Sequence, residues 1–148
     1  YSFYNKGDCM QLTTKGRYAI TAMLDLATNT SGRPVTLEVI SDRQNISLSY
    51  LEQLFSKLRK ASLVKSVRGP GGGYLLDSAA EEINLTQIVE AVDENIDLRR
   101  CKGMADCNNG KQCISHKLWC EVSDQIRSFL RSRTLQQVID EHNSNEGT

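Results

Sequence analysis

The densest chemistry in this 148-residue chain lies in Cys101, Cys107, Cys113 and His116, spaced C-x5-C-x5-C-x2-H. Thiolate sulfur is a soft donor, and imidazole suits zinc and iron alike. Gly103, Gly110 and the pair Asn108–Asn109 lie between the donors and let the chain wrap an ion or a cluster. Structural zinc usually takes cysteines in C-x2-C pairs, and the sequence contains none. Two five-residue spacers make a wide cradle, better matched to an iron–sulfur cluster than to one small ion. On spacing alone zinc and iron–sulfur stay comparable, with free or redox-active thiols as the third reading. Cys9 and Cys120 fall outside the pattern. Cys120, beside Trp119, reads as an ordinary buried or half-buried thiol, and His142 as solvated.

A second constellation is polar. Between Ser47 and Lys60, the residues Leu51, Leu54, Phe55 and Leu58 repeat at i, i+3, i+4 and i+7, the spacing of one buried helix face. The opposite face carries Ser49, Tyr50, Gln53 and Lys57, with Glu52 beside them and Ser47 as N-cap. A helix of this kind fits the major groove of DNA. Gln bonds bidentately to adenine, Ser and Tyr serve phosphates or base edges, and Glu accepts from cytosine N4. The bland alternative is a solvated face. Downstream, Gly69-Pro70-Gly71-Gly72-Gly73 forms a hairpin turn with Arg68 at its root. Gly69 and Gly71 let the backbone approach a partner closely, and an Arg beside Gly and Pro is suited to a minor groove. This run lacks the Gly-Lys-Ser/Thr ending of a phosphate-binding loop and opens no helix. Lys15 and Arg17 could hold phosphates.

The elements that must position these residues can be read from periodicity and caps. A helix is expected over Thr14–Thr28, with Ile20, Met23, Leu24 and Ala27 inward. A short helix follows over Leu37–Arg43, capped by Thr36, and a tight turn at Gln44–Ile46 leads into the Ser47–Lys60 helix. Leu63–Arg68 and Tyr74–Leu76 read as two strands of a hairpin. Asn84 caps a fourth helix whose inner face is Leu85, Ile88, Val89 and Val92. The cysteine segment reads as a loop. From His116 to Arg131 a long helix carries Trp119, Val122, Ile126 and Phe129 in steps of three, four and three, a seam for a partner helix. Thr134-Leu-Gln-Gln137 signals a capping box opening a last short helix, and His142–Thr148 reads as a frayed tail. The expected fold is mostly α with a small β-hairpin wing: a winged helix-turn-helix plus a long dimerisation helix.

Composition is that of an ordinary globular chain, 39% hydrophobic and 24% charged. No apolar run approaches the ~18 residues of a membrane span, so no membrane partner is expected. Zero net charge hides an asymmetry. Residues 10–75 carry nine Lys/Arg against four Asp/Glu, and residues 76–148 carry eight against thirteen. A basic first half favours a polyanionic partner. Five cysteines, and no basic-then-apolar layout in Tyr1–Cys9, argue for a reducing, cytoplasmic setting. Cys113 and His116 could pair as nucleophile and base, yet no acyl- or phosphate-binding signature accompanies them, so the chain does not read as an enzyme.

The stretch Ser47-Leu-Ser-Tyr-Leu-Glu-Gln-Leu-Phe-Ser-Lys-Leu-Arg-Lys60, the wing Val67-Arg-Gly-Pro-Gly-Gly-Gly-Tyr74, the opening Leu12-Thr-Thr-Lys-Gly-Arg-Tyr-Ala19 and the Cys101/Cys107/Cys113/His116 set together resemble the IscR-like family of iron–sulfur cluster regulators. The likeness runs from about Met10 to Ile139. It implies a homodimeric winged helix-turn-helix transcription factor, paired through the long helix and bound to double-stranded operator DNA. It also implies a [2Fe–2S] cluster on three Cys and one His, donated by the cluster-assembly machinery, and control of iron–sulfur biogenesis genes. The family's cluster-free form binds a second class of site, and the position of Glu52 is tied to discrimination between the classes. The expected organisation is a leader at 1–9, a DNA-binding domain at 10–80, a cluster loop and dimerisation helix at 81–140 and a flexible tail at 141–148. Nitric-oxide- or redox-sensing repressors of the same fold are an alternative, although they typically have a shorter first spacer and no matching His. A zinc-stabilised DNA-binding module is another. Cysteine-metabolism repressors lack the ligand set and fit less well.

Overall fold

The computed structural model describes residues 14–29, 31–92 and 114–146. In chain order they form α1 (Lys15–Ala27), α2 (Leu37–Gln44), α3 (Leu48–Lys60), β1 (Val64–Val67), β2 (Gly73–Leu76), α4 (Leu85–Ala91), α5 (His116–Ser132) and α6 (Leu135–Glu146). The fold is mostly helical with one antiparallel hairpin, as the sequence implies. Among the described residues, no helix is long and apolar enough to cross a membrane.

Local signals set most helix boundaries. Thr36 Oγ1 accepts from the Val39 N–H at 3.3 Å and starts α2. Asn45 ends it in a left-handed conformation, φ 55°, which Asn tolerates better than most residues. Only two residues later Ser47 Oγ accepts from the Tyr50 N–H at 3.2 Å and opens α3. Asn84 with Gln87, and Thr134 with Gln137, form reciprocal capping boxes at α4 and α6. Each such cap contributes about 1 kcal/mol.

α1 buries a wider arc than the expected stripe. Gly16, Ala19, Ala22, Met23, Asp25 and Leu26 are buried, whereas Ile20, Leu24 and Ala27 sit half-buried at its margin. The cause is packing: α1 touches α2, α3, α4, α6 and β2, and its alanines allow close approach. Asp25 is a buried carboxylate that accepts from Arg43 Nε at 3.1 Å, Arg43 Nη2 at 2.5 Å and Gln44 Nε2 at 2.7 Å. That clamp ties the end of α2 to α1.

The hairpin pairs Val64 with Leu76 through Val67 with Gly73. A rung that the sequence did not signal extends it. Val35 N–H donates to the Tyr74 carbonyl at 2.9 Å, and Tyr74 N–H donates to the Val35 carbonyl at 2.7 Å. Gly73 is required by this approach, because a Cβ there would lie 2.5 Å from the Val35 oxygen. The wing is thereby fixed to the segment that feeds α2.

The same core continues into the second half. Ile83, Ile88, Val92 and Leu135 join Met23 and Phe55 in one cluster. α5 packs on α4, its Ser123 is fully buried, and Thr86 Oγ1 donates to the Arg127 carbonyl at 3.5 Å. The α5–α6 junction docks on the α4 entry: Leu85 N–H reaches the Arg133 carbonyl and Leu135 N–H the Ile83 carbonyl, each at 3.0 Å. α6 runs on to Glu146, so residues 141–146 are helical, not the expected frayed tail. Leu135 anchors the helix in the core, and Gln136–Asp140 and His142–Glu146 contacts one turn apart support its polar length.

Candidate functional site

α3 buries Leu51, Leu54, Phe55 and Leu58 and turns Ser49, Glu52 and Gln53 to solvent. Its axis is held from two sides. Phe55 meets Tyr74 of the wing edge-to-face at 4.9 Å between centroids. Tyr50 meets Tyr18 of α1 edge-to-face at 5.6 Å. The half-buried Tyr50 ring therefore has packing work at the α1–α3 joint, and Ser47 has its capping work. Lys57 is half-buried on the last turn. At the wing, Arg68, Gly69 and Gly71 are exposed, with both glycines at positive φ (95° and 77°). Lys15 and Arg17 are exposed in the first turn of α1, which carries no acidic residue. Cations there add to the positive end of the helix dipole rather than offsetting it. The helix gains nothing from that placement, whereas an anionic partner does.

Sequence reasoning passed over the rest of the basic rim. Arg59, Lys60 and Lys65 are exposed, and Arg59 Nη1 donates to Ser66 Oγ at 3.4 Å, linking the end of α3 to β1. The run Lys57, Arg59, Lys60 in the last turn was the available signal.

Of the expected metal donors, Cys101, Cys107 and Cys113 lie outside the described residues. His116 is the first residue of α5 and is half-buried. Its Nε2 lies 3.3 Å from the Sγ of Cys120, one turn further along. Among the described residues no three metal-ligating side chains converge. A set of three thiols and one imidazole suits iron–sulfur ligation, and the half-buried His116 ring at the end of the cysteine segment fits that set.

The expected seam is visible on α5. Trp119 is 37% exposed and Phe129 54%, Val122 and Ile126 are half-buried, and Leu118 adds a further side chain at 53%. Trp119 Nε1 donates to Ser115 Oγ at 3.0 Å. The helix thus carries more apolar surface than α4 covers.

A capped, solvent-facing helix beside a pinned wing, with a basic rim around both, defines a winged helix-turn-helix protein that binds DNA and regulates transcription. A family model described as Rrf2, iron-dependent transcriptional regulator, matches residues 12–141. The chain belongs to the Rrf2 family, whose members are transcriptional regulators, not enzymes. It is 55% identical over 131 residues to the HTH-type transcriptional regulator IscR of Pectobacterium carotovorum, covering 88% of this chain and 80% of that one. The solved structure of T. potens IscR superposes with a TM-score of 0.72 at 36% identity, covering 88% of this chain and 86% of the other. CymR, the global cysteine regulator of B. subtilis, gives 0.73 at 34% identity, covering 87% and 95%. Two regulators with different names fit the fold equally well, so the signal must be argued from the site.

Proposed function

We propose that this protein is a cytoplasmic, homodimeric regulator that senses iron–sulfur status through a [2Fe–2S] cluster and controls cluster-biogenesis genes. Cys101, Cys107, Cys113 and His116 hold the cluster, which the cluster-assembly machinery donates. Gln53, Glu52, Ser49 and Tyr50 address base edges and nearby phosphates. Ser47, Lys57, Lys15 and Arg17 hold backbone phosphates. Arg68, with Gly69 and Gly71, enters the adjacent minor groove. Trp119, Val122, Ile126 and Phe129 pair two subunits, because a stripe of large apolar side chains is seldom left wet.

One observation carries the sensing part. His116 opens α5, α5 packs on α4, and α4 packs on α3. His116 and α3 thus belong to one connected body. When bound, the cluster supplies a tie between the cysteine segment and the first turn of α5. His116 transmits that tie into α5, and α4 passes the displacement to Glu52 and Gln53 on α3. In this reading residues 10–80 address DNA and residues 81–140 sense and pair, within the shared core.

The test is anaerobic purification followed by visible spectroscopy with iron, sulfide and zinc analysis. Charge-transfer bands with two irons and two sulfides per chain are expected for a [2Fe–2S] centre. A colourless protein containing stoichiometric zinc contradicts the reading.

A further inference from the structure

We propose that the DNA-facing side of α3 continues past Gln53 to a phosphate grip made by Arg59 and Lys60, with Ser66 of β1 as the residue that positions Arg59. The proposal rests on the reading of α3 and the wing as the elements that meet DNA. Ser49, Gln53, Ser56 and Lys60 stand at i, i+4, i+7 and i+11 of α3, and Glu52, Ser56 and Arg59 at i, i+4 and i+7. They therefore share one side of the helix. All of them are exposed, and the opposite side is buried through Leu51, Leu54, Phe55 and Leu58.

Arg59 is held where the helix meets the hairpin. Its Nη1 donates to Ser66 Oγ at 3.4 Å. Ser66 pairs with Tyr74 across the hairpin, and the Tyr74 ring meets Phe55 of α3, so this face of the hairpin looks onto the helix. Side chains alternate along a strand, which puts Lys65 on the other face. A helix in a major groove and a wing in the neighbouring minor groove straddle the sugar–phosphate strand that separates them. Arg59 bridges the two elements that straddle it. Ser66 takes one N–H of the guanidinium, and the planar fork has others to give to a phosphodiester. Last-turn cations also suit the α3 dipole, but the bond to Ser66 directs the Arg59 guanidinium to the hairpin. The ligand is the phosphodiester backbone of duplex DNA, and the contact adds affinity without adding sequence preference.

The experiment titrates the full chain, in one cluster state, against a promoter duplex and a scrambled duplex of equal length over a range of salt concentrations. Wild type is compared with Arg59→Gln, Lys60→Gln, Ser66→Ala, Lys65→Gln and the Arg59→Gln/Ser66→Ala double variant, each checked for folding by circular dichroism. Arg59→Gln and Lys60→Gln are expected to weaken both duplexes by the same factor. Each should lower the slope of log affinity against log salt by about 0.9 for every phosphate released. Ser66→Ala removes no charge and is expected to weaken binding less than Arg59→Gln. The double variant should bind no more weakly than Arg59→Gln alone, because Ser66 acts through Arg59. Lys65→Gln, on the far face of the hairpin, should change the slope by less than either. If wild type binds with a steep slope that Arg59→Gln and Lys60→Gln leave unchanged, the proposal is overturned and the DNA reading stands. A slope loss in Lys65→Gln as large as theirs also overturns it, because general charge and not contact is then being measured. Additive losses in the double variant overturn the part assigned to Ser66. A wild-type chain that binds neither duplex overturns the DNA reading and the proposal together.

Discussion

The Asp25 carboxylate, 4% exposed, receives two hydrogen bonds from the Arg43 guanidinium, at 2.5 and 3.1 Å. Asp25 belongs to α1 and Arg43 to the last turn of α2, so the pair ties the end of α2 to α1. The asymmetry of exposure gives a direction. Arg43→Ala leaves a buried carboxylate to which the Gln44 amide still donates at 2.7 Å. It should destabilise the protein by about 1–3 kcal/mol, discounted from a fully buried pair because the Arg43 side chain is itself 51% exposed. Urea denaturation measures this. A loss within the few tenths expected of an ordinary surface change would contradict the clamp.

Gln53 tests the reading face. Its side chain is exposed on α3, so removal should not unsettle the fold. Gln53→Ala should cost about 1–3 kcal/mol on a cognate operator and far less on random DNA, since base contacts specify whereas phosphate contacts position. Fluorescence anisotropy at fixed salt separates the two. Equal loss on both sequences shows that Gln53 does not read bases.

Phe129 tests the seam. At 54% exposure it can be changed with little effect on the subunit core. Phe129→Asp should shift sedimentation to a monomer and weaken operator binding, because paired reading helices on successive turns of the duplex would be lost. Ile126→Asp should do the same, although its half-buried side chain also touches the subunit's own stability. A dimeric Phe129→Asp protein with unchanged affinity would show that pairing uses another surface.

Much of the architecture could be read from the chain because its determinants are local. Thr36, Ser47, Asn84 and Thr134 announce their helices by side-chain caps, and the apolar repeat of α3 fixes which face is left for a partner. The features that escaped are those set by distant neighbours. Val35 acts as a strand of one residue after Pro34, too short for any alternation to reveal. Asp25 sits in an apolar helix with nothing nearby in sequence to mark its partners, 18 and 19 residues away. The polar residues 141–146 continue a helix whose first turn is anchored by the buried Leu135, which composition does not report. The His116–Cys120 contact follows from i, i+4 spacing on one helix face, a periodicity that the even cysteine spacers do not share. Cys101, Cys107 and Cys113 lie outside the described residues, so the role proposed for them rests on their donor chemistry and spacing.

In the proposed regulator, cluster occupancy selects among DNA sites. The most direct measurement is a pair of binding titrations over a panel of promoters, comparing cluster-loaded wild type with Cys107→Ala at the same salt concentration. Cys107→Ala should be a folded dimer that loses affinity for one class of operator and keeps it for another, so that the promoter ranking changes. Identical rankings for the two proteins would contradict it and leave the metal a purely structural role.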